Sequence, residues 1–138
     1  MDKRFHLLVT GSRYWQENDP LIFNILKEYK KKYGLALTLI HGDCQGADLC
    51  AHWAAKELGI DTIRFPANWK GRMKAAGPFR NTLMVDYIPI NICLAFHPTI
   101  KKSLGTKHMI NECLSREIQT YLFNENGTKK KILEKIKD

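Results

Sequence analysis

The strongest constraint in this chain is an alternation of two hydrophobic periods. Short continuous apolar runs recur along it, and between them lie segments with apolar residues at helical spacing. "FHLLVT" (5–10) is a buried-strand run stopped by Gly11. "DPLIFNILKEYKKKYG" carries Asp19 as N-cap, Pro20 at the first helical position and Gly34 as the stop. Its Ile22, Ile25, Leu26, Tyr29 and Tyr33 form one stripe opposite the lysines. "LALTLIH" (35–41) is a second strand. Ala47, Cys50, Ala54 and Leu58 give the next helix its apolar face, closed by Gly59. "DTIRF" (61–65), "INICLAF" (90–96) and "EIQTYLF" (117–123) are further strands, with helices expected near 78–87 and 105–115. Strands alternating with helices imply βαβ units and right-handed crossovers. The expectation is an α/β, Rossmann-like three-layer sandwich with a mostly parallel five-stranded sheet.

Size and charge narrow the class. A chain of 138 residues is one domain's worth. The expected division is a ligand domain over 1–123 and a basic C-terminal helix or tail over 124–138, with Ile132, Leu133 and Ile136 inward. "MDKRFHLLVTGSR" has too short an apolar run for a signal peptide or a membrane span. Cys44, Cys50, Cys93 and Cys113 fall in no tight pair, so they read as reduced thiols of a cytoplasmic protein. The formal charge is +8. Residues 124–138 hold five Lys against three acids, so only +2 of it lies there. The densest block runs from Arg64 to Arg80, with Lys70, Arg72 and Lys74 between and no acid. That block points to an anionic ligand or nucleic acid.

In open α/β sheets, ligands bind outside the carboxyl ends of the strands. Five segments meet that rim: "GSRYW" (11–15), "HGDCQGAD" (41–48), "FPANWKGR" (65–72), "FHP" (96–98) and "SLGTKHM" (103–109). "GSR" sets Ser12 and Arg13 behind Gly11 for phosphate contact, and reads equally as an ordinary turn. "SLGT" offers Thr106 as an N-cap or first-turn hydroxyl. Gly42 and Gly46 let the backbone curl beside a ligand. Asp43 or Asp48 would accept ribose hydroxyls, as acids do in dinucleotide sites. The same loop reads also as a Gly-rich turn with a capping Asp. Trp15, Trp53 and Trp69 can stack on a base, although the core is the usual place for Trp53. His41, Asp43, Cys44 and His52 match no common zinc-ligand spacing, so neither metal nor cofactor is expected.

The four stretches "VTGSRYW", "LIHGDCQGADLCAHWAAKELGI", "FPANWKGRMKAAGPFRNTLMV" and "LAFHPTIKKSLGTKHMI", in this order, resemble the YspA-type (cpYpsA-related) branch of the SLOG superfamily. The resemblance covers roughly residues 5–115. That superfamily includes the Lonely Guy phosphoribohydrolases and DNA-processing protein A. "GADLCAH" resembles the GIDxxAH of the latter, aligning Gly46, Asp48 and His52. "RNTLM" (80–84) resembles the RKxxM of the phosphoribohydrolases, aligning Arg80 with their active-site arginine. "LGT" (104–106) stands where they carry PGGxGTxxE. Two departures matter. Lys102 and Ser103 lie where the first two glycines would be, and Met109 stands at the glutamate position.

The resemblance implies a nucleotide-like ligand more firmly than hydrolysis. In the first reading the protein binds a phosphorylated nucleoside or ADP-ribose-like compound. Gly11, Ser12, Arg13, Gly105 and Thr106 hold phosphate, and Gly42, Asp43, Gly46 and Asp48 surround the sugar. Trp69, Arg80 and Asn81 complete an open pocket. Turnover would be N-glycosidic cleavage or transfer, with Asp43, Asp48 or Glu112 as the acid. Without the family glutamate, a sensor or sequestering role stands beside it. The second reading is sequence-independent binding of single-stranded DNA or RNA. No membrane partner is expected, and a homodimer is implied by the Lonely Guy relatives. Ser12, Asp48, Arg80 and Thr106 come from four segments and are expected at one rim.

Overall fold

A computed structural model describes residues 3–72 and 75–137; for Trp69 and Arg72 only the backbone is described. The elements are β1 (Phe5–Gly11), α1 (Pro20–Tyr33), β2 (Leu37–His41), α2 (Ala47–Leu58), β3 (Asp61–Arg64), α3 (Trp69–Arg72), α4 (Ala76–Tyr87), β4 (Ile92–Phe96), α5 (Gly105–Ser115), β5 (Gln119–Phe123) and β6 (Lys129–Lys131). They form one sheet in the order β3-β2-β1-β4-β5-β6, parallel except for β6. The helix ends follow the expected chemistry. Asp19 accepts the Leu21 N–H at 2.8 Å, Pro20 opens α1, and Gly59 closes α2 in the left-handed conformation.

Alternate residues of the central strands feed two cores. Leu7, Val9, Leu39, Leu94 and Phe96 pack with Ile22, Leu26, Ala51 and Ala55 of α1 and α2. Leu8, Ile40 and Cys93 face Met84 and Val85 of α4 and Met109 and Cys113 of α5. Strands buried on both faces explain why they read as unbroken apolar runs. β1 lies between β2 and β4: the chain steps outward from β1 through β2 to β3, then crosses back past β1 to β4 and continues the other way. This is the switch point at which loops splay apart and open a crevice.

The sheet has six strands where five were expected. Residues 124–128 turn, with Gly127 at φ 88°, and Lys129–Lys131 return along β5. Where a short helix or a tail was expected, the described residues 124–137 thus begin as a hairpin arm on β5. Ile132 and Ile136 satisfy both readings, because they pack with Ala95, Ile110 and Leu122 from the hairpin as well as they would from a helix. The Ile132 N–H bonds to the Thr120 carbonyl at 2.9 Å, and the Asn111 amide bonds to both backbone groups of Ile136. Leu133, expected inward, is exposed.

Candidate functional site

The loop after β2 is built on buried polar groups. Asp48, in the first turn of α2, turns one carboxylate oxygen back to accept the Gly42 N–H at 3.0 Å and the Cys44 N–H at 3.3 Å. The ring of His41 is fully buried at the end of β2. Its Nδ1 accepts the Asp43 N–H at 2.9 Å, so a neutral ring carries its proton on Nε2. That proton points to Nδ1 of His52 at 3.1 Å. Asp43 holds the left-handed conformation at φ 60°, and its carboxylate takes two bonds from Arg64, at 3.0 and 2.6 Å. Gly46 packs directly on the backbone of Ser12 and Arg13, and the Ala47 N–H bonds to the Ser12 carbonyl. The Ser12 N–H in turn bonds to the Phe96 carbonyl at 2.8 Å, which ties the β1, β2 and β4 loops together.

Arg80 completes this frame from α4. Its guanidinium donates to the Gly42 carbonyl, the Phe65 carbonyl at 3.1 Å and the Asn81 side chain at 2.9 Å, and Nη2 lies 3.6 Å from the Cys44 sulfur. Asn81 continues the chain of contacts to Gly105 and His108 of α5. The contacts thus link Ser12, Asp48, Arg80 and the start of α5, as the sequence led one to expect. Their roles differ from that expectation. Arg80 is 8% exposed and bonded to protein oxygens, so it braces two loops instead of lining an open pocket. Thr106 is buried, and its N–H is capped by the Ser103 hydroxyl at 3.0 Å; Ser103 therefore does the capping expected of Thr106. Ser12 is buried and accepts the Tyr14 N–H.

A cleft of about 610 Å³ opens above this frame, lined by Arg13, Gly42, Asp43, Cys44, Gln45, Pro66 and Ala67. It lies at the carboxyl ends of β1, β2 and β3. Of the expected ligand residues, Arg13, Gly42 and Asp43 line it. Gly11, Ser12, Gly46, Asp48, Arg80 and Asn81 are not in its lining; Asp48 and Arg80 hold the lining loop through Gly42, and Asn81 reaches Gly105 beside Thr106. The side chain of Trp69 lies outside the described residues. Cys44, Gln45, Pro66 and Ala67 lie in the expected rim segments but are not among the expected ligand residues: Cys44 is weighed only as a zinc ligand, and Gln, Pro and Ala carry no chemical signature in sequence. Glu112 is held by the Thr82 hydroxyl at 3.0 Å and by Arg116 at 3.1 Å, away from the cleft lining. Met109, at the family's glutamate position, is buried among core side chains. Trp53 is exposed and Trp15 is buried edge-on to Phe96, which reverses the expectation for both. The basic block from 64 to 80 is not one surface: Arg64 is paired with Asp43 and Arg80 is internal, while Lys74 lies outside the described residues.

Burial moves two ionisations in opposite directions. It pushes the Asp48 carboxyl up to about 7, against the pull of two amides and Arg80. It pushes His41 down to about 4, with His52 adding to the effect. A raised carboxyl contributes stability that is complete below its ordinary value of 3.8 and lost as pH rises through about 7. A lowered histidine contributes stability that is complete above 6.5 and lost as pH falls through about 4. The two slopes oppose each other across the acidic range. Asp48→Asn removes only the first and keeps an acceptor for both amides. Its stability relative to wild type should therefore improve by about 3 kcal/mol between pH 4.5 and 7.5, read by urea unfolding. A pH-independent difference would show that Asp48 ionises normally.

Residues 5–71 match the model of the YspA, cpYpsA-related SLOG family. That segment, from β1 to α3, is thus similar to the family whose motifs it was seen to resemble. The fold is also that of DNA processing protein A from Streptococcus pneumoniae, known from an X-ray structure. The two superpose with a TM-score of 0.69 at 14% identity, over 87% of this chain and 50% of that one. This chain thus spans half of that protein, and the likeness is one of fold. No curated protein matches the chain by sequence. No helix among the described residues is long and apolar enough to cross a membrane.

Proposed function

We propose that the chain binds a nucleotide-derived ligand, a phosphorylated nucleoside or an ADP-ribose-like compound, in the cleft above β1, β2 and β3. The observation that supports this reading most is the cleft itself. Its volume is within the usual range for small-molecule sites, and it sits at the rim where α/β sheets hold nucleotides. Arg13 is part of its lining and has no side-chain partner among the described residues, which leaves its guanidinium available to a phosphate. Asp43 faces the cleft already neutralised by Arg64, so it does not repel an anion.

Binding without turnover is the better-supported form of this function. The three acids considered for glycosidic chemistry all have other work: Asp48 holds two amides, Asp43 holds Arg64, and Glu112 holds Thr82 and Arg116. The protein then acts as a sensor or sequestering module in the cytoplasm, and the homodimer of the Lonely Guy relatives remains the expected assembly. Calorimetric titration with AMP and ADP-ribose should give micromolar or tighter binding that persists at 200 mM salt, because short-range, partly desolvated donors are screened little. Arg13→Ala should weaken it by about 1.5–3 kcal/mol. No binding of either compound, together with tight oligonucleotide binding at that salt, would overturn the reading in favour of nucleic acid at the rim.

A further inference from the structure

The turn after β1 brings a second side chain to the cleft, one that neither the charge nor the glycine pattern of the sequence singles out. Ser12 and Trp15 close this turn, with the Trp15 N–H on the Ser12 carbonyl at 3.2 Å. Both are buried, and both are tied down. Ser12 bonds to Phe96 and Ala47 through its backbone, and its hydroxyl accepts the Tyr14 N–H at 3.0 Å. The Trp15 ring rests edge-on against Phe96. Between these anchors stand Arg13 and Tyr14, both exposed. Gly46 packs on the Arg13 backbone, so the tip of the turn lies against the loop whose residues Gly42 to Gln45 line the cleft. Tyr14 is 87% exposed, and its ring meets no other ring, cation or hydrogen-bond partner among the described residues.

We propose that Tyr14 is the base-stacking residue of the cleft, with Arg13 beside it on the phosphate. The inference rests on the cleft being a nucleotide site and adds the group that selects the base. A base offers a flat face that gains by leaving water for a ring. None of the described residues lining the cleft is aromatic, and Arg13 is the only cation among them. Tyr14 supplies the missing face one residue from that cation. A turn tip needs nothing larger than a small polar residue, so the turn itself does not call for a ring. A single exposed tyrosine is ordinary on any surface. Tyr87, at the end of α4, is another, but it lies at the opposite end of the sheet, where Pro89 and Asn91 just beyond it bond to His6 at the start of β1. What distinguishes Tyr14 is its neighbour in the turn. Both ends of the turn are fixed in the core, so ring and guanidinium are held near each other before a ligand arrives, which lowers the ordering cost of binding. The loop amides cannot replace Arg13. Those of Gly42 and Cys44 are bonded to Asp48, that of Asp43 to His41, and that of Ala47 to the Ser12 carbonyl. One cation beside one ring suits a mononucleotide unit, whereas a strand calls for a charged groove that tracks its backbone.

The test is calorimetric titration with AMP and ribose 5-phosphate, which share phosphate and sugar and differ by the base. Displacement of bound AMP gives the ribose 5-phosphate affinity where its own heat is too small to read. Wild type should bind AMP about fivefold or more tighter than ribose 5-phosphate, the low end of what stacking one base contributes. Tyr14→Ala should weaken AMP by about the same factor and leave ribose 5-phosphate unchanged, so that the two ligands converge. Tyr14→Phe keeps the ring face and should bind AMP as wild type does. Arg13→Ala should weaken both ligands alike, and Tyr87→Ala should change neither. Urea midpoints of the Tyr14 variants should match wild type, because an exposed ring contributes little to folding. The inference is overturned, and the cleft reading kept, if Tyr14→Ala binds AMP as tightly as wild type. It is overturned in the same way if Tyr14→Ala weakens AMP and ribose 5-phosphate equally, since the residue would then act through the turn and not on the base. If wild type binds neither AMP nor ADP-ribose, the cleft reading fails and this inference falls with it. A 20-nucleotide poly(dT) that binds more tightly than AMP at 200 mM salt, and loses that advantage in Tyr14→Ala, would also overturn it by giving the ring to a strand.

Discussion

Gly46→Ala should cost about 4 kcal/mol, the largest single loss expected in this protein. The position has φ 80° and ψ −125°, a conformation that an L side chain adopts only under strain. A Cβ there would also overlap the Ser12 carbonyl oxygen and come within 2.7 Å of the Arg13 Cα. Neither neighbour is a flexible side-chain tip; both are backbone, fixed by the bond from Ser12 to Phe96 and by Ala47 onto Ser12. Strain and overlap each contribute roughly 1–3 kcal/mol. Gly59→Ala is the control. It too has positive φ, 71°, but nothing lies within 4 Å of its added Cβ. It should cost about 1–2 kcal/mol. Urea midpoints that put the two variants level would show that the loops do not meet as described. Because most domains have only about 5–15 kcal/mol of stability, Gly46→Ala should also loosen the cleft wall at temperatures where Gly59→Ala remains native.

The same contact shows how far the sequence could be read. Strand and helix identity was legible because each element repeats one period over several residues, and because Asp19, Pro20, Gly34 and Gly59 punctuate it in the standard way. The rim was legible from topology, since parallel order forces the polar loops after β1 and β2 to one end. β6 was not legible. Three lysines carry no apolar alternation, and its existence depends on ladder bonds to β5 that no local pattern encodes. The division of labour at the rim was hidden for a related reason. Whether Asp48 or Arg80 faces a ligand or faces the loop depends on side-chain direction within the packed frame. A motif records only that a carboxylate and a guanidinium are present. The Gly-rich loop read as a ligand cradle is instead held shut from inside by Asp48, His41 and Arg80, with the cleft on its outer side.

That inner bracing makes Arg80 the second decisive residue, and it inverts what the sequence led one to expect. A guanidinium lining an open pocket could be removed with little change in stability. The observed one is buried, and it joins three elements: the loop after β2 through the Gly42 carbonyl, the loop after β3 through the Phe65 carbonyl, and α4 through Asn81. Hydrogen bonds to a charged group contribute about 1.5–3 kcal/mol each but are not additive, and truncation leaves buried carbonyls without a donor. Arg80→Ala should therefore lower stability by about 3–4 kcal/mol. Arg80→Lys should recover little of it, because one ammonium on a flexible stem cannot reproduce a planar fork held between two carbonyls. The cleft gives a second readout. If Arg80 acts by bracing Gly42 and Cys44, ligand affinity in Arg80→Ala should recover on cooling or in a stabilising osmolyte as the loops re-form. The loss in Arg13→Ala, a missing direct contact, should not. An Arg80→Ala protein with a wild-type unfolding midpoint and no ligand affinity would place the guanidinium on the ligand instead, and the wall of the cleft would have to be assigned to Asp48 alone.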